Sequence, residues 1–165
     1  MTRSTVRIRK ATAKDIQWLT DLRVELLREI GNLTPRTDVL KLRRAIARYY
    51  RATIQAGTFY AFVAEAGSEI VAISGLTLER QPPFAGNLSG RTAYIMNMYT
   101  KPTWRRKGIA SSLLAEVLEF LRKKKIEKVH LLATPQGKSV YEESGFHVRT
   151  ADKYMERHLG GKIRE

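Results

Sequence analysis

Trp104-Arg105-Arg106-Lys107-Gly108-Ile109-Ala110-Ser111-Ser112-Leu113-Leu114 is the stretch whose reading decides the fold. It follows a β-like run, Arg91 to Thr100, and a joint, Lys101-Pro102-Thr103, and it opens a long amphipathic helix. A basic run and then Gly-x-Ala at a strand-to-helix junction suit an anion. Amide N–H groups in the first turn of a helix have no intrahelical acceptor, and the dipole there is positive. Small residues at positions 108 and 110 let a phosphate approach the backbone closely. An ordinary turn carrying a solvated basic run has the same short pattern, so its weight depends on the chain around it.

Working outward, Arg91 to Thr100 holds the apolar core of one strand, and Ile109, Leu113, Leu114, Val117, Phe120 and Leu121 form the inner stripe of the helix that follows. Upstream, Thr58 to Ala66 and Glu69 to Leu78 are β-rich runs joined by Gly67-Ser68, a hairpin signal. Glu79 to Gly90, with Pro82-Pro83, is an exposed loop. Its Asn87-Leu88-Ser89 fits a glycosylation pattern that carries no weight without a secretory signal.

Val6 to Lys10 alternates apolar and basic residues and reads as a first strand. Thr12-Ala13-Lys14-Asp15 has capping-box spacing and starts a helix to about Ile30, with Ile16, Leu19, Leu22, Leu26 and Ile30 inward. A second helix covers about Asp38 to Gln55. Val39, Leu42, Ile46, Tyr50 and Thr53 lie on one side of it, and Lys41, Arg44, Arg48 and Arg51 on the other. Such a stripe is either a solvated face or a contact surface for an anionic partner.

Downstream, Glu127 to Ala133 is a strand and Lys138 to Glu143 a short helix stopped by Ser144-Gly145. Phe146 to Thr150 and Tyr154 to Leu159 read as final strands, and Gly160 to Glu165 as a frayed tail. Strands and helices in this order make a mixed α/β sheet with helices on its faces.

The 165 residues fit one domain over 1–165, large enough to fold without disulfide or metal staples. There is no cysteine, which excludes disulfides, thiolate nucleophiles and Cys-ligated zinc. The three histidines, His130, His147 and His158, lack metal-ligand spacing, so no metal is expected. No apolar run reaches the ~20 residues that span a bilayer. The start of the chain has no secretory apolar core, and a cytoplasmic setting is expected. A net charge of +14 draws polyanions: nucleic acid, anionic membrane, acidic protein or a phosphorylated cofactor. No nucleic-acid-binding module is visible, so nucleic acid is disfavoured as a partner but kept open by the charge.

Arg105-Arg106-Lys107-Gly108-Ile109-Ala110 resembles the pyrophosphate-loop motif of the GNAT superfamily, the acetyl-CoA-dependent N-acyltransferases. Tyr141-Glu142-Glu143-Ser144-Gly145-Phe146 is similar to that family's Tyr-x-x-x-Gly-Phe signature. The two motifs stand in order on the right elements, and the resemblance covers nearly the whole chain. It implies a central, mixed, mostly antiparallel twisted sheet of about six to seven strands flanked by about four helices.

The resemblance also implies a site. Backbone amides over Arg105, Arg106, Lys107, Gly108, Ile109, Ala110 and Ser111 would hold the pyrophosphate of acetyl-CoA. Met98, Tyr99 and Thr100 would lie beside the pantetheine arm, where the fourth strand splays from the next. The Met98 N–H would polarise the acetyl carbonyl, and Tyr141 would act as general acid at the leaving sulfur.

Three positions depart from the family pattern. Thr134, a further cofactor contact, stands where many relatives have Asn; Gly137 stands where Ala is common; Arg106 replaces a frequent Gly. That last change is expected to affect loop flexibility more than amide direction. Glu65, Glu79 and His130 are the strand residues that offer a general base, and nothing in the sequence chooses among them.

The implied activity is N-acetyl transfer to an amine of a small molecule or protein, by a monomer or homodimer. The alternative is a CoA-sensing module whose basic surface binds nucleic acid or a regulatory partner.

Overall fold

The computed structural model describes residues 5–149, 155–157 and 159. Strand β1, Val6–Lys10, leads through a 3-10 turn, Ala13–Asp15, into helix α1, Ile16–Glu29. Thr12 and Asp15 form the expected capping box: the Thr12 hydroxyl accepts from the Lys14 N–H, and the Asp15 carboxylate accepts from the Thr12 N–H at 2.8 Å. That carboxylate also takes two bonds from the Arg9 guanidinium, both at 2.9 Å, while Arg9 reaches Glu65 at 3.2 Å. One buried acid therefore caps a helix and ties it to the first two strands.

Helix α2, Val39–Ala56, begins where the Asp38 side chain accepts from the Lys41 N–H, and it stops at Gly57. Its basic stripe is exposed as expected, and Ile46 and Tyr50 are buried. Strands β2, Phe59–Ala66, β3, Glu69–Arg80, and β4, Arg91–Thr100, pair as an antiparallel meander beside β1. Helix α3, Ile109–Lys123, crosses over to β5, Lys128–Leu131, which lies parallel to β4. Helix α4, Lys138–Glu143, follows. The sheet order is β1-β2-β3-β4-β5.

Period-2 alternation along the strands sends side chains to two separate cores. Phe59, Ala61, Val63, Ile73 and Tyr99 pack under α1 and α2. Phe62, Ala64, Ala72, Leu76 and Ile95 pack under α3, with Tyr141 of α4 in the same cluster. Gly75 is required by the first core, because a Cβ there would fall 2.4 Å from the Phe59 ring.

The described sheet has five strands, fewer than the six to seven expected. No strand is assigned over the described residues 146–149, 155–157 and 159, where the expected final strands would lie in part. The remainder of those two segments and the expected tail over 160–165 fall outside the described residues.

On α1 the buried set is Ile16, Leu19, Thr20, Leu22, Val24 and Leu27. Ile30 is 51% exposed, because the helix has ended at Glu29 and Gly31, at φ 74°, turns the chain away. Val24 and Leu27 are buried because α1 packs on α2 as well as on the sheet. Asn87 is buried inside its own loop, donating to the Arg91 carbonyl and accepting from Ser89. Among the described residues no helix is long and apolar enough to cross a membrane.

Candidate active site at the wedge between two strands

The parallel ladder runs from Thr92 opposite Lys128 to Ile95 opposite Leu131 and stops there, while β4 continues to Thr100. Beyond Ile95 that edge of β4 has no strand partner among the described residues, and a wedge opens. On its other edge β4 pairs with β3 through Gly75 opposite Met96 and Ile73 opposite Tyr99, so Asn97 and Met98 have no cross-strand partner on either side. This is a β-bulge, and Asn97 takes the left-handed φ of 57° there. The bulge sets Met98 out of register with β3 at a point where the ladder to β5 has already ended. The Met98 side chain packs into the α3 core. That of Tyr99 is buried on the opposite face, where its hydroxyl donates to Glu25 at 3.3 Å and burial pushes its pKa up. Thr100 Oγ1 is buried without a hydrogen-bond partner among the described residues.

Past a 3-10 turn, Pro102–Trp104, the chain makes a loop in which Arg106 has φ 62° and Gly108 has φ 74°. Gly108 is the N-cap of α3, and Ile109 is the buried anchor of its first turn, with Ala110 half-buried and Ser111 exposed. Among the described residues, no backbone N–H from Arg106 to Ala110 finds a backbone acceptor. Left-handed residues on either side of Lys107 fold these amides into a nest at a helix N-terminus, which is what a phosphate needs. Arg106 thus occupies a left-handed position, so the residue here bears on amide direction as much as on flexibility.

The side chains of the loop divide their work. Arg105 turns back, donating to the Thr100 carbonyl at 2.8 Å and to Glu29 at 2.6 Å, with its guanidinium carbon 5.5 Å from the centre of the Tyr99 ring. It braces the loop against β4 and α1. Lys107 donates to the Thr103 carbonyl at 3.1 Å and lies over Trp104. Arg106 is exposed. An open hollow of about 870 Å³ lies beside the loop, with Val6, Ile8, Trp104, Arg106, Lys107 and Ile109 in its wall.

Tyr141 is 8% exposed and packs edge-on to Phe146, with ring centres 5.9 Å apart. Its hydroxyl has no hydrogen bond among the described residues, and burial pushes its pKa above the ordinary phenol value. Tyr141 and the partly buried Met98 side chain both belong to the large core cluster under α3. Thr134 is exposed, and its hydroxyl accepts from the Gly137 N–H at 3.2 Å at the entry to α4. A Cβ at 137 would lie 3.4 Å from both the Thr134 hydroxyl and the Tyr141 ring.

Of the residues that offer a base, Glu65 is committed to Arg9. Glu79 lies 3.5 Å from His130, which stacks on Tyr94 at 5.1 Å, one rung before the ladder ends. Sequence reasoning missed Asn97 and Arg23. The Arg23 guanidinium donates to the Asn97 side-chain oxygen, and the Asn97 amide donates to the Tyr50 hydroxyl at 3.2 Å. A lone Asn inside an apolar strand was the available signal, since Asn tolerates left-handed φ. Among the described residues no cluster of three or more His, Asp or Glu gathers as a metal site would need.

This fold and wedge define an acyltransferase class. The chain belongs to the acetyltransferase (GNAT) family, whose model matches residues 25–146. A predicted acetyltransferase of Clostridium acetobutylicum, solved with acetyl-CoA, is 30% identical; the match covers 94% of this chain and 97% of that one at a TM-score of 0.82. A GCN5-related N-acetyltransferase from Ralstonia eutropha is 21% identical over 94% of this chain and 100% of that one, with a TM-score of 0.83. An aminoglycoside N-acetyltransferase in complex with CoA is 18% identical over 96% and 99% of the two chains, with a TM-score of 0.75. The last two likenesses concern the fold alone. No curated protein sequence matches the chain.

Proposed function

We propose that the protein transfers an acetyl group from acetyl-CoA to a primary amine of a small molecule or a protein, by direct attack of the amine. The observation that carries this reading is the nest of free amides from Arg106 to Ala110 beside the open edge of β4 beyond Ile95. The similar Clostridium protein holds acetyl-CoA. The unpartnered Thr100 hydroxyl and the hollow beside Arg106 and Lys107 also fit a long polar ligand with a phosphate-bearing end.

Acetyl-CoA brings an activated acyl group. The loop amides bind its pyrophosphate, with Arg106 and Lys107 adding charge. The Met98 N–H, at the bulge, meets the negative charge that develops on the carbonyl oxygen. As the neutral amine attacks, a C–N bond forms, the C–S bond breaks and the nitrogen gives up a proton to solvent water, from which the Tyr141 phenolate is reprotonated after it has served the sulfur. Tyr141 donates its phenolic proton to the departing sulfur, and burial keeps that phenol protonated at neutral pH.

Thiol release from acetyl-CoA across a panel of amines, with the acetylated product identified by mass, tests this. Amine-dependent thiol release is expected. Tight acetyl-CoA binding with no thiol release for any amine would instead support the CoA-sensing module.

A further inference from the structure

A second cavity, of about 330 Å³, lies between α1, α2 and β4 on the face opposite α3. Its wall includes Arg23, Ile46, Tyr49, Tyr50, Met96 and Asn97. Asn97 is the bulge residue directly before Met98, so the cavity adjoins the point where the carbonyl is held in the reading above. Among the described residues, no acidic residue lines it.

Arg23 is its one charged residue among the described residues. Three other half-buried arginines, Arg9, Arg43 and Arg105, each face a carboxylate (Asp15 and Glu65, Asp21, and Glu29), whereas half-buried Arg91 has no ion pair among the described residues. Arg23 is also half-buried, yet its one hydrogen bond among the described residues goes to the neutral Asn97 side chain. A guanidinium offers five N–H donors in a planar fork, and partial burial favours filling them with an anion. Asn97 fixes the fork in place, since its amide is itself anchored on Tyr50, a phenol that burial pushes up to about 12 and so keeps neutral. Around the fork the wall is apolar and aromatic. Arg44 and Arg48, both exposed, lie within one turn of a lining residue on α2 and add positive field.

Resting on the acetyltransferase reading, we infer that the acceptor is an anionic amine with an apolar body, seated with its anion on Arg23. A carboxylate and a phosphate share the chemistry of that fork; the apolar wall favours an amino-carboxylate over a sugar or a polycationic amine. The anion docks the acceptor and leaves its amine directed at the bulge.

Two measurements test this, and they separate it from the reading it rests on. Rates of acetyl transfer are compared for phenylalanine, phenylalaninamide and phosphoethanolamine. Binding of N-acetylphenylalanine and N-acetylphenylalaninamide to the CoA-saturated protein is measured by calorimetry, which needs no turnover. The carboxylate ligand should bind about tenfold or more tighter than its amide, as one charge-assisted contact predicts. Arg23→Gln should remove that preference and leave the amide within about twofold, while Arg23→Lys should keep part of it.

Equal binding of the pair, no binding of either, or an equal loss for both in Arg23→Gln would overturn the inference. Faster transfer to phosphoethanolamine than to phenylalanine would move the anion from carboxylate to phosphate and overturn the amino-carboxylate assignment. Carboxylate-selective binding without thiol release would leave the inference standing and overturn the enzyme reading.

Discussion

Ile95 and Leu131 are the last paired residues of the parallel ladder between β4 and β5. The site described above sits where that ladder ends: an open strand edge, a bulge at Asn97 and a phosphate-type nest at the start of α3. The nest depends on Gly108, whose φ of 74° is left-handed although its side is open to added atoms. Proline requires φ near about −65° and removes an amide, so Gly108→Pro should abolish the rise in melting temperature that acetyl-CoA gives the wild type. Gly108→Ala should fold, lose about 1 kcal/mol of stability and bind less tightly. A folded Pro variant with undiminished stabilisation by acetyl-CoA would displace the pyrophosphate from this loop.

Tyr141 is held neutral by burial, and that sets a pH expectation. Its pKa is raised, so the proton-donating form persists up to and beyond the ordinary phenol value of ~10. The dependence of kcat on this acid should be flat through neutral pH and fall only on the alkaline side of that value. Tyr141→Phe should lower kcat by about 10²-fold with acetyl-CoA affinity unchanged. A fully active Phe variant would reduce Tyr141 to packing against Phe146.

Asp15 joins a helix cap to the Arg9 ion pair, and Arg9, the largest cause, holds its carboxyl below the usual range. A carboxyl with a lowered folded pKa contributes stability in full above the unfolded value of ~3.9 and loses it as pH falls through the folded value. Asp15→Asn should therefore cost about 2 kcal/mol at neutral pH, measured by urea unfolding. The gap to wild type should narrow below pH ~4 and close once the folded carboxyl is protonated. A gap independent of pH would mean that packing, not charge, holds this corner.

Arg44, Arg48 and Arg51 are exposed on α2, the helix that also lines the Arg23 cavity, and they are remote in sequence from the nest of amides. Exposed charges steer over a Debye length, which falls from ~10 Å at 0.1 M salt to ~3 Å at 1 M. Converting all three to Gln should lower kcat/KM for the acceptor and flatten its salt dependence, with acetyl-CoA affinity unchanged. Identical salt curves would make the stripe a solvated surface.

Local chemistry made much of this legible in the sequence. Capping at Thr12 and Asp15, the turn at Gly67-Ser68 and the basic Gly-x-Ala junction are decided by residues close together in the chain. The missed features are those set by distant partners. Arg23 and Asn97 stand 74 positions apart, and neither looks functional until the bulge turns Asn97 toward α1. Likewise the burial of Val24 depends on α2, and Gly75 matters only because the Phe59 ring lies over it. Phe146 to Arg149 alternates enough to read as a strand, yet no strand is assigned over those described residues.

The most direct test of the central claim is a two-dimensional amide NMR titration of the protein with acetyl-CoA. The account predicts that the largest shifts fall on the backbone N–H groups of residues 106–110 and of Met98, with smaller changes around Tyr141 and none at the Arg9–Asp15 corner. Saturating acetyl-CoA that leaves the amides of 106–110 and of Met98 unmoved would contradict it.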